Sequence, residues 1–363
     1  MDPLRFDVDP DIRRASTPPG ALYTDARVLE RARERVFAPS WQFAGDDRDV
    51  REPEHVRPFT LLEGLLDEPL VLARDSRGEL ACLSNVCTHR GNLVVDKACR
   101  RSVLVCSYHG RRFRLDGTLE SAPELELALD FPSRRDDLPR AEVEALGGLL
   151  FASLRPAHAF EHVAGDLRER MSWFPFDALV ADATRSKDYD VRANWALYCD
   201  NYLEGFHIPF LHAGLNAAIE WKSYSTELFP RSSVQIALAK QDEVAFELPR
   251  GAHEFGRRVA AYYWWLWPNT MLNFYPWGVS VNVVCPRGVD STRVLFRMYV
   301  WREELVETGA GSGLDRVERE DEEVVEAVQK GVRARLYSRG RYSPTREQGV
   351  HHFHRLLAGA LVE

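Results

Sequence analysis

The chain has 363 residues, 45% hydrophobic and 28% charged, ordinary proportions for a soluble globular protein with room for two domains. Its formal net charge of −8 argues against a nucleic-acid binder, which would carry a basic face, and no run approaches the ~20 apolar residues of a membrane span. Six cysteines, at positions 82, 87, 99, 106, 199 and 285, do not make a disulfide scaffold at this length. The first residues lack a basic-then-apolar signal pattern, so a cytoplasmic protein is expected.

In chain order, the first twenty residues are rich in Pro and Asp and are expected to be extended. Thr24 or Asp25 can cap a helix over residues 26–37, with Val28, Leu29, Ala32 and Val36 inward and Pro39 closing it. From residue 41 to about 154, short apolar runs such as 69–73 and 147–153 alternate with turn signals at 75–78 and at Asp116-Gly117, which predicts a small all-β domain. Inside it stand Cys87-Thr88-His89 and Cys106-Ser107-Tyr108-His109, with sixteen residues between His89 and Cys106. One reading is a closed structural zinc site. Zinc fingers, however, supply their cysteines as one pair and their histidines as another. Here each loop supplies one of each, which suits a Rieske [2Fe–2S] cluster with Cys₂ on one iron and His₂ on the other.

On these residues the chain resembles the α (oxygenase) subunits of Rieske non-haem iron oxygenases, and the likeness covers nearly its whole length. Arg90-Gly91 follows the first pair, as is common in that family. The resemblance implies that Cys87 and Cys106 hold one iron and that His89 and His109 hold the other. Ser107 and Arg111 stand where the family usually has Pro and Trp. Neither is a ligand, so the departure concerns the packing of the second loop.

Beyond Pro156, His158 and His162 fall near a helix predicted over 161–174 and are read as surface residues. A strand over 187–193 leads into Asp200-Asn201-Tyr202-Leu203-Glu204-Gly205-Phe206-His207, followed by Pro209 and His212. On a helix Asp200, Glu204 and His207 share a face. Pro209 would end that helix and let His212 swing back. Two imidazoles and a carboxylate form the ligand set of mononuclear Fe(II), although spaced histidines also occur without a metal. Strands are predicted over 232–239, 244–248, 262–267, 271–275, 279–285 and 293–301, the last alternating Val294, Phe296, Met298 and Val300 against Arg293, Arg297 and Tyr299. Most of the aromatics between Tyr262 and Trp277 are expected in the core, with some free to line a pocket.

A helix over 314–336 carries an apolar stripe of Leu314, Val317, Val324, Val325, Val328 and Val332. Asp321 lies inside that stripe, where a carboxylate is costly unless paired or metal-bound; the other acids read as a solvated face. The resemblance implies a third iron ligand, Asp or Glu, on a late helix. Asp321 fits both arguments, with Glu320 and Glu322 as alternatives. It also implies that Glu204 bridges the two metal centres, linking His109 of one subunit to His207 of the next. Glu there, and the stretch 267–278, match the branch resembling choline, betaine and carnitine oxygenases. The histidines of 351–354 are read as a docking segment, and 339–348 as a lid or tail contact.

The expected fold is α+β: residues 1–40 as a helical segment packing with the catalytic domain, 41–155 as the Rieske domain, and 156–363 as a helix-on-antiparallel-sheet, START-like (helix-grip) catalytic domain. The expected function is oxygenation: O₂ activated at a mononuclear Fe(II) held by His207, His212 and Asp321, to hydroxylate or N-demethylate a small molecule such as a quaternary amine. Electrons would come from NAD(P)H through a separate flavin/iron–sulfur reductase, or through a ferredoxin, and the oligomer would be a homotrimer. The alternatives are an aromatic or polycyclic ring-hydroxylating oxygenase and, from another class, a Rieske electron carrier.

Overall fold

Residues 6–362 are described by the structure, a computed structural model; Met1 to Arg5, read above as extended, lie outside them. The first helices are α1 (Ala21–Thr24) and α2 (Ala26–Ala32). The Asp25 carboxylate accepts from Arg27 N–H at 2.9 Å and starts α2, as a short acidic side chain does at an N-cap. The helix then widens into one π-helical stretch, Arg33–Phe37, with Val36 and Phe37 fully buried.

Two compact units divide the chain: residues 38–157, and residues 1–37 together with 158–363. The first contains ten strands: β1 (Gln42–Asp46), β2 (His55–Leu61), β3 (Glu68–Arg74), β4 (Leu80–Ser84), β5 (Cys99–Arg100), β6 (Leu104–Val105), β7 (Arg112–Phe113), β8 (Leu119–Ser121), β9 (Arg140–Leu146) and β10 (Leu149–Ser153). Seven of them pair antiparallel in the order β1-β10-β9-β4-β3-β2-β5, and β6-β7-β8 form a small second sheet. One core gathers Val71, Leu83, Leu104 and Phe113 around Cys87 and Cys106; a second packs Leu61, Leu72 and Leu150. The unit closes on itself, since Ala157 N–H donates to Pro39 O at 2.9 Å.

The larger unit continues with α3 (Glu161–Arg170), β11 (Val180–Val191), α4 (Trp195–Tyr202), α5 (Ile208–Leu211), α6 (Ala213–Ala218), β12 (Ser225–Phe229), β13 (Ser232–Leu238), β14 (Val259–Leu266), β15 (Thr270–Tyr275), β16 (Gly278–Gly288), β17 (Ser291–Val300), α7 (Leu314–Gly331) and α8 (Gln348–Val362). Its sheet is an antiparallel meander in the order β11-β17-β16-β15-β14-β13-β12. The central strands β14 and β15 are buried at every position, as strands covered on both faces must be. By contrast β17 alternates along most of its length. Together the units form an α+β protein. No helix among the described residues is long and apolar enough to cross a membrane.

Several predicted elements differ from this picture; the helix over 161–174, for one, ends at Arg170. Residues 244–248 do not form a strand. β14 already has β13 on one edge and β15 on the other, which leaves that segment no ladder to join beyond the bond from Phe246 N–H to Val259 O at 2.8 Å. The late helix stops at Gly331 instead of running to 336. Val332 is the last buried residue there, and Leu336 is fully exposed, so nothing apolar holds a further turn.

Candidate metal centres

The segment that follows α4 departs from a continuous helix. Asn194 caps α4 through Ala196 N–H at 3.0 Å, and its own N–H donates to Gln329 Oε1 of α7 at 2.7 Å. The helix ends at Tyr202, so Asp200, Glu204 and His207 do not share one helical face. Asp200 turns to His354 Nε2 at 2.8 Å and to the Tyr23 hydroxyl at 2.8 Å. Glu204 lies in the turn beyond, where Oε2 accepts from the N–H groups of Phe206 and His207. Nor does Pro209 end a helix. It occupies the first turn of α5, where a missing N–H is harmless.

This local path sets the two imidazoles side by side. The rings of His207 and His212 lie 5.0 Å apart between centroids at an interplanar angle of 82°. From α7, Asp321 Oδ1 stands 3.0 Å from His212 Nε2 and 3.7 Å from His207 Nε2. Each ring is anchored through its other nitrogen: His207 Nδ1 to Glu204 Oε1 at 2.7 Å, and His212 Nδ1 to Glu320 Oε2 at 2.7 Å. With Nδ1–H donated to a carboxylate, each Nε2 presents its lone pair on the Asp321 side. Burial works to lower the His212 pKa, but the carboxylates of Asp321 and Glu320 outweigh it and raise it. Asn201 Nδ2 donates to Asp321 Oδ1 at 2.7 Å and fixes that carboxylate in turn.

Among the described residues, His207, His212 and Asp321 are a set whose donor atoms all lie within 4.8 Å of one another. Two nitrogens and one carboxylate, with both rings pre-oriented, fit a mononuclear Fe(II) with open positions. Of the two alternative third ligands, Glu320 serves the far nitrogen of His212. Glu322 has Oε1 buried without a hydrogen-bond partner, and burial raises its pKa.

The triad opens on a cleft. Tyr202, Tyr224, Tyr263 and Tyr275 line it together with Glu318. Of the aromatics between Tyr262 and Trp277, Tyr263 and Tyr275 reach the cleft, while Trp264, Trp265 and Trp277 are fully enclosed in the core. Glu318 is absent from the sequence-derived site and was placed with the solvated acids. The inner face of α7 is set by Glu318, Val325, Gln329 and Val332, while Val328 is 42% exposed. The valines drew the stripe about one residue off. The signal available in sequence was the spacing of Glu318 from Val325 and Val332, seven and fourteen residues on, which places all three on one side of a helix.

In the smaller unit, Cys87 and Cys106 are buried. The two loops that carry them turn alike: Gly91 N–H returns to Cys87 O and Gly110 N–H to Cys106 O, each at 3.0 Å. Both glycines have positive φ, +74° and +73°, a conformation costly for other residues. The rings of His89 and His109 lie 4.7 Å apart. His89 Nδ1 is buried with no hydrogen-bond partner, a lone pair left for a metal. Burial raises the Cys87 thiol pKa. At Cys106 burial acts the same way but is overcome by hydrogen bonds from the Tyr108 N–H, the Cys87 thiol, the His109 N–H and Asn92 Nδ2, and the pKa is lowered. Asn92 Nδ2 lies 3.6 Å from its sulfur. One cysteine and one histidine from each loop make a donor set suited to a two-iron cluster.

Arg111, in place of the family's usual Trp, is buried and ties the two loops together. It donates to Thr88 Oγ1 at 3.1 Å, pairs with Asp136 at 3.7 Å and lies 5.4 Å from the Phe131 ring centroid. Burial, followed by this guanidinium, lowers the His89 pKa.

Comparison with known proteins identifies both domains. The family model "Ring hydroxylating alpha subunit (catalytic domain)" matches residues 176–362, and the "Rieske [2Fe-2S] domain" model matches residues 40–132. The chain is 31% identical to the chloroplastic choline monooxygenase of Arabidopsis thaliana, across 97% of this chain and 84% of that protein. It is 30% identical to the carnitine monooxygenase oxygenase subunit of Escherichia coli (strain K12), across 98% and 96%. A solved structure of a quaternary ammonium Rieske monooxygenase, described in connection with carnitine oxidation by gut microbiota and inter-subunit electron transfer, superposes with a TM-score of 0.78 at 25% identity, covering 97% of this chain and 96% of that one.

Proposed function

Because the chain belongs to the family of Rieske ring-hydroxylating oxygenase α subunits, we propose that it is the oxygenase component of a monooxygenase acting on a small quaternary amine. The observation that carries this reading is the pair of anchored imidazoles facing one carboxylate at the mouth of a tyrosine-lined cleft. His207, His212 and Asp321 would hold Fe(II), and Cys87, Cys106, His89 and His109 a [2Fe–2S] cluster. Bound there, these groups would supply O₂ activation and one-electron delivery.

The protein's own part is positioning. Glu204 and Glu320 fix tautomer and ring orientation, so that both Nε2 atoms point inward whether or not metal is present. Asn201 holds Asp321 in register. The tyrosine faces favour a quaternary ammonium group, which ring quadrupoles attract, and the related choline and carnitine monooxygenases support that substrate class. Electrons are taken to come from NAD(P)H through a separate reductase. Glu204 is further proposed to bridge to the partner subunit's His109 in a head-to-tail homotrimer, a heterologous interface closed by rotation.

The test is iron content with turnover. The intact protein should carry about three irons per chain, against two for an electron carrier. Asp321→Ala should keep the cluster's visible spectrum, lose turnover and fall toward two irons. If Glu320→Ala or Glu322→Ala produces that result instead, the third ligand is one of those residues. Oxygen-dependent NADH consumption against a quaternary-amine panel and an aromatic panel identifies the substrate class.

A further inference from the structure

Three acids line the cleft, and two are committed. Glu204 holds His207, and Asp321 meets both imidazoles and Asn201. Glu318 is the third. It is 8% exposed, and its two oxygens accept from neutral donors, the Tyr198 hydroxyl and Asn282 Nδ2, the latter at 2.8 Å. The charged groups that act on it, Asp321 and Glu322, repel it. A buried carboxylate in such surroundings has no cationic side chain among its hydrogen-bond partners, and among the described residues no Lys or Arg lines the cleft. Its pKa is pushed up to about 7, by burial first, so in the empty cleft its charge is held at a cost.

We propose that Glu318 is the specificity-determining charge of the cleft, supplying the negative partner for a substrate cation whose alkyl groups rest against Tyr202, Tyr263 and Tyr275. The two neutral donors hold the carboxylate in place without cancelling its charge, and the tyrosine rings present faces that attract the same cation. A cation entering the cleft brings Glu318 a positive partner that no Lys or Arg of the lining supplies; a neutral molecule of the same shape does not. The side chain thereby selects for charge, while the rings select for shape. This inference rests on the quaternary-amine reading above and assigns the residue that enforces it.

The experiment compares binding of choline with binding of dimethylbutanol, its isostere with carbon in place of nitrogen. Calorimetry on the iron-loaded protein without oxygen reads binding to parent and variants, with cluster absorption and iron content as folding controls. The parent should prefer choline. Glu318→Gln, nearly isosteric and still able to hydrogen-bond, should lose about tenfold or more in choline affinity with little change for dimethylbutanol. Glu318→Asp, which keeps the charge, should retain more of the preference than Gln. An equal loss for both ligands, an unchanged preference, or a fall in iron content with the preference intact overturns the role of Glu318 and leaves the substrate class standing. A parent that does not prefer choline overturns both. Should the Gln variant lose its cluster absorption, the Asp variant is read against the parent alone, and loss of all charge preference there overturns the role.

Discussion

At the scale of single residues, Glu318 makes the stability of the protein depend on pH in an unusual direction. Its carboxyl is raised from 4.5 to about 7 by burial, against the opposing hydrogen bond from Tyr198. When a folded-state pKa lies above the unfolded one, the group contributes most below the unfolded value. That contribution is lost as pH rises from about 4.5 to about 7, because the unfolded chain then ionises freely and the folded one does not. Glu318→Gln removes the dependence. Its Tm relative to the parent should therefore climb across that interval, by the equivalent of roughly 3 kcal/mol at most, and level off above it. A flat difference from acid to neutral pH would show that Glu318 ionises as easily folded as unfolded. The same residue marks where sequence reasoning ran short. Cys-x-His and Cys-x-x-His are legible because their partners are local. Asp321 could be singled out by its place among valines. Glu318 carries only the fainter mark of its spacing from Val325 and Val332, and what holds it inward is a hydroxyl on α4 and an amide on β16, partners 120 and 36 residues away.

At the scale of elements, the end of α4 is held by α8 at very short range. A Cβ placed on Gly349 would come 2.3 Å from Leu203 O, a backbone atom that cannot rotate aside. Leu203 directly precedes Glu204, so the approach of the two helices fixes where the acid that orients His207 begins. A second tie reinforces it: His354 of α8, buried, bonds Asp200 of α4, the Tyr23 hydroxyl of α1 and the Tyr342 hydroxyl at 2.8 to 3.1 Å. The histidines near the carboxyl terminus thus serve packing, and His351 Nε2 meets Asp9 O at 2.8 Å in the same way. Gly349→Ala should cost about 1–3 kcal/mol as overpacking and should lower mononuclear iron occupancy. Cluster absorption should be unaffected, since those ligands lie in the other unit. Iron analysis beside the visible spectrum checks this, and parallel loss of both would show a general folding defect instead. The strands were legible from period and turns. Residues 244–248 and the break at Glu204 were not, because free edges and packed helix ends are properties of the assembled sheet and helices.

At the scale of the whole molecule, the order of the units along the chain matters most. The helices before residue 37 belong with residues 158 onward, and the β unit occupies the interval between. Its second and last residues are joined by the bond between Ala157 and Pro39 at 2.9 Å, so the β unit begins and ends at nearly one point. Ends that lie close together are what lets an inserted domain be tolerated. Joining Phe37 to His158 through a short glycine-serine linker should give a chain that folds, binds about one iron and is colourless where the parent is coloured. Failure to fold would mean that the host needs its guest for more than electrons. If it folds, the redox half of this protein is a plug-in module. It could then be exchanged for one of different potential without rebuilding the pocket that chooses the substrate.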